Sequence, residues 1–258
     1  MLRGCSKAAD LQPHRVRYWL TPAADADRET KIADVCVVYR TAPERAQVGQ
    51  RTVSTDEMTG VQALERLAPD LPPRPGQVAR REFEYKRHGT CSFIINFDVA
   101  TGQVFSPSSG PTRTEADFVA HVQRTVESDA TARQWHFVVD NLDIHRSESL
   151  VRYVAALANC TDDLGIKYVR GVLRSKASRA AFLSDPTHPV VFHYTPKHAS
   201  WLNQVEIWLS ILVRKLLRRG NFRSVEDLRN QVLSFIAYFN RTMAKPFKWT
   251  YQGKPLRV

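Results

Sequence analysis

Three carboxylates in this chain occupy settings where a solvated acid is out of place. Asp140 ends the apolar run Phe137-Val138-Val139, so its carboxylate should emerge at the carboxyl edge of a buried strand. Open α/β sheets assemble their chemistry at that edge. Asn141 and His145 follow in the pattern D-N-x-x-x-H. Asp56, with Glu57 next to it, closes the β-branched stretch Thr52-Val53-Ser54-Thr55. Glu206 lies among Trp201, Leu202, Val205, Ile207, Trp208 and Leu209, on a helical stripe that ought to face a core. A carboxylate there is costly unless something pairs with it.

Taken singly, each acid also has an ordinary explanation. Asp140 could be a turn acid before a helix, with Asp143 as its rival. Asp56 could be a strand-end surface charge, and Glu206 could pair with an arginine. Taken together, acids from two strands and a helix suit a hard divalent cation. Mg²⁺ prefers oxygen ligands, keeps several waters and usually takes its other contacts from substrate phosphates. Two such ions about 4 Å apart can serve phosphodiester chemistry. Zinc fits less well, because His136, His145, His193 and His198 lack a compact ligand spacing and Cys5, Cys36, Cys91 and Cys160 are scattered. There is no G-x-x-x-x-G-K-[ST] loop, so no nucleotide cofactor is indicated.

Positioning such acids requires strands and helices in a definite order. RTVSTDEM (51–58) reads as a strand, and PDLPPRPG (69–76) as a loop because of its four prolines. Residues 83–108 hold two or three strands, with turns expected at His88-Gly89 and Ala100-Thr101-Gly102. TEADFVAHVQRTVESD (114–129) reads as a helix with a Thr-x-x-Asp cap, HFVVD (136–140) as a buried strand, and Ser147 as the cap of the next helix. VVFHYTP (190–196) is a further strand, followed by a helix from about Ser200 to Arg219. A last helix starts at the Ser224 cap, within 224–244. Hairpins followed by alternating strands and helices predict an α/β fold, a mixed sheet flanked by helices. Residues 1–49 differ in texture: a short basic piece, a polar connector and KIADVCVVYR (31–40), a brief helix, which together read as a short N-terminal arm.

Across 258 residues the formal net charge is +11, with 43% hydrophobic and 24% charged residues. The balance is that of a folded chain attracted to a polyanion. No apolar run is long enough to span a bilayer and the first twenty residues hold no signal-peptide core, so nucleic acid is favoured over membrane and a cytoplasmic location is expected. Residues 197–258 carry twelve Lys or Arg against three acids. Lys197, His198, Lys215, Arg218 and Arg219 are therefore candidate DNA contacts. Trp201 and Trp208 could stack on bases, but helical spacing more often places tryptophans in a core.

Four blocks carry a resemblance: STDEMTGVQALER (54–66), YKRHGT (85–90), VVDNLDIH (138–145) and YTPKHASWLNQVEIW (194–208). They resemble the signature blocks of mariner-like DDE-type transposases of bacterial insertion sequences, and the likeness runs from about residue 9 to the C-terminus. The resemblance implies a ribonuclease-H-like fold over 50–258. It also implies an acidic triad of Asp56, Asp140 and Glu206 that binds Mg²⁺ or Mn²⁺, two ions in all. The activity implied is cut-and-paste transposition: hydrolysis at the element ends, then strand transfer into target DNA containing TA, by a homodimer associated with the nucleoid. Asn141, His145 and Asn203 are the candidates for orienting the ligands.

Two features depart from the family pattern. The chain begins inside what resembles the end of a helix-turn-helix region, leaving 1–49 as its remnant and a truncated, non-catalytic DNA- or partner-binding derivative as the alternative reading. Asp140 and Glu206 are also 66 positions apart (206 − 140). Residues 163–189, with Arg174 and Lys176, then read as a basic insertion, either touching DNA or simply solvated.

Overall fold

Five strands form one sheet in the order β3-β2-β1-β4-β5. The structure, a computed structural model, describes residues 27–251. Strands β1 (Gln50–Arg66), β2 (Tyr85–Asp98) and β3 (Val104–Gly110) make an antiparallel meander. Strands β4 (Gln134–Val139) and β5 (Val190–Tyr194) then add in parallel beside β1. Parallel neighbours require crossovers, and helices α2 (Glu115–Glu127), α3 (Glu148–Leu157) and α4 (Lys176–Leu183) supply them.

Alternation along the strands divides the core between the two faces. Trp135, Phe137 and Val139 of β4 pack with Phe118, Val122, Leu150, Val154 and Leu183 from α2, α3 and α4. Phe93, Ile95 and Phe97 of β2 point the other way. They meet Trp208 and Leu212 of α5 (Val205–Leu212) and Leu228, Val232 and Ile236 of α6 (Val225–Thr242). Trp208 is fully buried, so truncating it to Ala should cost about 3–5 kcal/mol. Trp201, by contrast, is half exposed and stands edge-on to Tyr251.

The mixed sheet, the caps at Thr114, Ser147 and Ser224, and the loop over 69–76 agree with the sequence reading. Three elements differ from it. KIADVCVVYR is the centre of α1 (Arg28–Gln47), a 20-residue helix rather than a brief one. It lies on the sheet, with Val35, Val38, Tyr39 and Ala42 against Val138 and Val99. The residues preceding it in the expected arm, including 9–20, lie outside the described residues. No turn forms at His88-Gly89: β2 runs straight through, and Gly89 at φ 113° sits where the β1–β2 register shifts. The helix expected over 200–219 is interrupted. A 3₁₀ turn, Ser200–Leu202, ends at Asn203, α5 follows, and Val213–Leu217 is π-helical.

The segment after α6 crosses back over the sheet. Phe247 stacks on Phe97 at 4.6 Å, and Trp249 meets Tyr39 of α1 edge-on at 4.8 Å. Gly102 makes room for this crossing, since a Cβ there would lie 2.1 Å from the Lys245 carbonyl. Among the described residues no helix is long and apolar enough to cross a membrane.

Candidate active site

Strands β1 and β4 pair from Gln50 beside Gln134 to Ser54 beside Val138, and there the ladder ends. Asp56 and Asp140 each lie two residues further on, side by side at the carboxyl edge of parallel neighbours. β1 stays paired to β2 on its other side, with Asp56 opposite Ile95, so its end is held although one flank is free. Beyond β4, the Thr195 amide donates to the Val139 carbonyl at 2.9 Å and fixes the point where the Asp140 loop departs.

Glu206 comes from a separate element, in the first turn of α5. The helix start is tied to β1 through Asn203, which is fully buried. Its Nδ2 donates to the Thr55 carbonyl at 2.9 Å and to Asp56 Oδ2 at 3.3 Å. Its Oδ1 accepts from the Ser54 hydroxyl, and Ser54 Oγ in turn accepts from the Val205 amide at 2.8 Å. The Gln204 amide donates to the Tyr39 hydroxyl at 3.2 Å, so α1 supports the same turn. The helix break at Asn203 thus satisfies backbone groups that a continuous helix would have used differently.

The acids respond to one another. Burial pushes Asp56 up to about 7, and the charges of Glu57, Asp140 and Glu206 add to the rise against the opposing bond from the Glu57 amide. Burial and the charge of Asp140 also raise Glu206, and among the described residues no arginine pairs with it. Asp140 is different. Burial would raise it, but His145, the Leu142 amide and Arg113 hold it below the usual carboxylate range. His145 is carried up to about 9: burial opposes its charge, and Asp140 and Glu57 on either side of the ring outweigh burial.

Among the described residues no three His, Cys, Asp or Glu side chains close into a preformed metal cage. The donor set nevertheless fits a hard cation. Asp56 and Asp140 stand past the ends of adjacent parallel strands and Glu206 in the first turn of α5, and burial together with the charge of Asp140 raises both Asp56 and Glu206. A divalent ion relieves that repulsion, and Mg²⁺ sites with few protein ligands and several waters are common.

The remaining candidates separate clearly. Asn141 bonds the Thr195 carbonyl through its amide, and Arg146 donates to the Asn141 carbonyl at 2.5 Å, so Asn141 braces the loop. Asp143, the rival acid, is 67% exposed and pairs with Lys176 at 2.7 Å. Lys197 and His198 line the exposed rim of a cleft of about 300 Å³ that also includes Asp140, Asn141 and Ser200. Lys215, Arg218 and Arg219 are exposed at the far end of the α5 region, and Arg174 is exposed before α4. In the 163–189 segment Arg179 is buried, donating to the carbonyls of Arg146 and Leu173, so part of its charge serves structure. A cleft of about 500 Å³ beside Ser92, Ser108 and Arg124 lies elsewhere and includes none of the three acids.

The sequence reading passed over Glu57, whose side chain is 1% exposed beneath the site, and over Ser54 and Tyr39. Adjacent acids at a strand end were the available signal for Glu57, because alternation sends one of them inward.

Residues 51–229 match the family described as DDE superfamily endonuclease, and the chain belongs to that family. Its fold resembles that of a mariner transposase. The crystal structure of the Mos1 mariner paired-end complex with Mn aligns at a TM-score of 0.52 and 13% identity, over 90% of this chain and 60% of that one. The catalytic domain of Mos1 mariner transposase aligns at a TM-score of 0.48 and 12% identity, over 85% of each chain. The chain therefore spans about 60% of the length of the Mos1 chain in the paired-end complex. No curated protein matches it significantly in sequence.

Proposed function

We propose that this chain is a metal-dependent DNA transposase. In this reading it hydrolyses phosphodiesters at element ends and then joins the freed 3′-hydroxyl to target DNA, at TA-containing sites, as a homodimer in the bacterial cytoplasm. Residues 50–258 form the catalytic domain, and 1–49 are the end of a DNA-binding region and its linker. What supports the reading is that Asp56 and Asp140 lie two residues past the last β1–β4 pair, that Glu206 opens α5, and that the charges of Asp140 and Glu206 both reach Asp56.

These three acids would hold Mg²⁺ or Mn²⁺. The ions supply Lewis-acid stabilisation of charge at the scissile phosphate and lower the pKa of an attacking water. The chain's own contribution is placement. Asn203 holds Asp56 and the start of α5 together, His145 and the Leu142 amide orient Asp140, and Lys197 and His198 meet the backbone beside the cleft. Lys215, Arg218, Arg219 and Arg174 extend the cationic track along which a duplex would lie.

The test is Mn²⁺-dependent nicking of a supercoiled plasmid, or of a cognate end where one is known. Wild type should nick, and Asp140→Ala, folded to the same extent, should nick at least about 100-fold more slowly. Equal rates would refute the assignment.

A further inference from the structure

Glu57 is a buried carboxylate that never reaches the edge where the three acids meet. Its side chain is 1% exposed, and its Oε1 lies 2.9 Å from Nε2 of His145, a residue with no exposed side-chain surface. The other ring nitrogen, Nδ1, lies 2.9 Å from Oδ1 of Asp140 and 3.2 Å from the Asp140 carbonyl. A carbonyl only accepts, so Nδ1 carries the hydrogen and donates. Asp140 Oδ1 also accepts from the Leu142 amide at 2.8 Å. One oxygen of Asp140 is thus held by two donors, and Oδ2 takes no hydrogen bond from the described residues on a side chain that is 37% exposed.

The imidazole itself is seated rather than loose. Phe118 lies 4.4 Å from its ring centre, and the Tyr194 hydroxyl donates to the His145 carbonyl at 2.9 Å. What those contacts leave open is rotation of the ring about its own axis, and the bond from Nε2 to Glu57 removes that freedom. A buried carboxylate with one polar side-chain partner among the described residues is a costly way merely to fill space.

We propose that Glu57 is a positioning residue: acting through His145, it fixes the rotation of the Asp140 carboxylate so that Oδ2 is presented to a divalent cation. The inference rests on the proposed role of Asp140 as a metal ligand. Partners one shell out from a metal ligand typically change metal affinity by about 10–100-fold when removed.

The experiment measures Mn²⁺ binding to the full, metal-free chain by titration calorimetry, alongside plasmid nicking as a function of Mn²⁺ concentration. Glu57→Gln keeps an acceptor for Nε2, whereas Glu57→Leu keeps the volume and removes the acceptor. Glu57→Leu should bind Mn²⁺ at least about 10-fold more weakly, with its nicking rate recovering at high Mn²⁺, and Glu57→Gln should stay within about 3-fold of wild type. If Glu57→Leu does not fold, the double variant Glu57→Leu with His145→Leu replaces both polar partners at once and leaves neither unpaired. It should fold and show the same weakened binding.

Wild-type affinity in Glu57→Leu or in the double variant would overturn the proposal, as would a loss in Glu57→Gln equal to that in Glu57→Leu. Asp140→Asn separates this failure from that of the underlying reading. If Asp140→Asn loses Mn²⁺ while Glu57→Leu keeps it, only the positioning role falls. If Asp140→Asn binds Mn²⁺ like wild type, or wild type binds none, both fall.

Discussion

Asp56 and Asp140 stand two residues past Ser54 and Val138, the last pair that joins β1 to β4. The two carboxylates are brought together by register rather than by any bond between them. The ladder that sets their spacing stops just short of them, so the sheet fixes their bases while their tips answer to local partners. Those partners are unequal: Asn203 on Asp56, and His145 with the Leu142 amide on Asp140.

Asn203 joins β1 to α5, and its loss should be felt in stability and in the site together. Asn203→Ala removes the donor to Thr55 and Asp56 and leaves the Ser54 hydroxyl with one partner fewer, at a cost of about 1–3 kcal/mol. Urea denaturation should show that loss. Under conditions where the variant is fully folded, nicking should still be depressed, because Glu206 depends on the same turn.

Asp56 gives the metal-free protein an inverted response to pH. In the folded chain it keeps its proton up to about 7, because burial and neighbouring acids disfavour the charge. In the unfolded chain it releases the proton at about 3.9. Its contribution to stability is therefore greatest in acid and is lost as pH rises through that window, by at most about 1.4 kcal/mol per pH unit. Denaturation in EDTA across this range should show the slope, Asp56→Asn should flatten it, and saturating Mg²⁺ should oppose it.

His136 acts in the other direction. Burial, with Arg45 and His193 adding to it, lowers it to about 3, whereas an unfolded histidine titrates at about 6.5. The stability it confers is complete above the higher value and is lost as pH falls toward the lower one. It sits 3.0 Å from His193, which bonds Asp34 of α1 at 2.8 Å, so acid should loosen α1 first. His136→Gln should move the acid-unfolding midpoint to lower pH, as read by near-UV circular dichroism.

The fold was largely legible because its elements announce themselves locally. The β-branched stretch around Val53, the apolar run of β4 and the caps at Thr114, Ser147 and Ser224 each follow from short-range chemistry. The elements that escaped were set by distant partners. Helix α1 owes its length to burial of Val35, Val38 and Tyr39 against the sheet, which its own sequence does not reveal. The break at Asn203 exists because Ser54 and Thr55, about 150 positions away in the chain, satisfy that side chain. The role of Glu57 was hidden for the same reason, beyond the hint of two adjacent acids: its side-chain partner among the described residues, His145, is 88 positions distant.

The exposed cations of the α5 region should behave as phosphate contacts. Replacing Lys215, Arg218 and Arg219 together with Ala should weaken binding to duplex DNA without regard to sequence. It should also reduce the slope of log K against log salt by about 2.7, the value for three released counterions. Filter binding from low to moderate salt measures that slope, and an unchanged slope would place the duplex elsewhere.

The crossing made possible by Gly102 turns the polypeptide into a closed belt. Its first described helix and its last described residues touch at Tyr39 and Trp249, and Tyr39 is the same residue whose hydroxyl holds Gln204 at the start of α5. The buckle of the belt therefore bears on the turn two residues before Glu206. A cut at Lys245 removes no acid and no strand, yet it unfastens the buckle. Residues 247–249 are thus part of the mounting of the turn that starts α5, and a change there is an intervention at that turn.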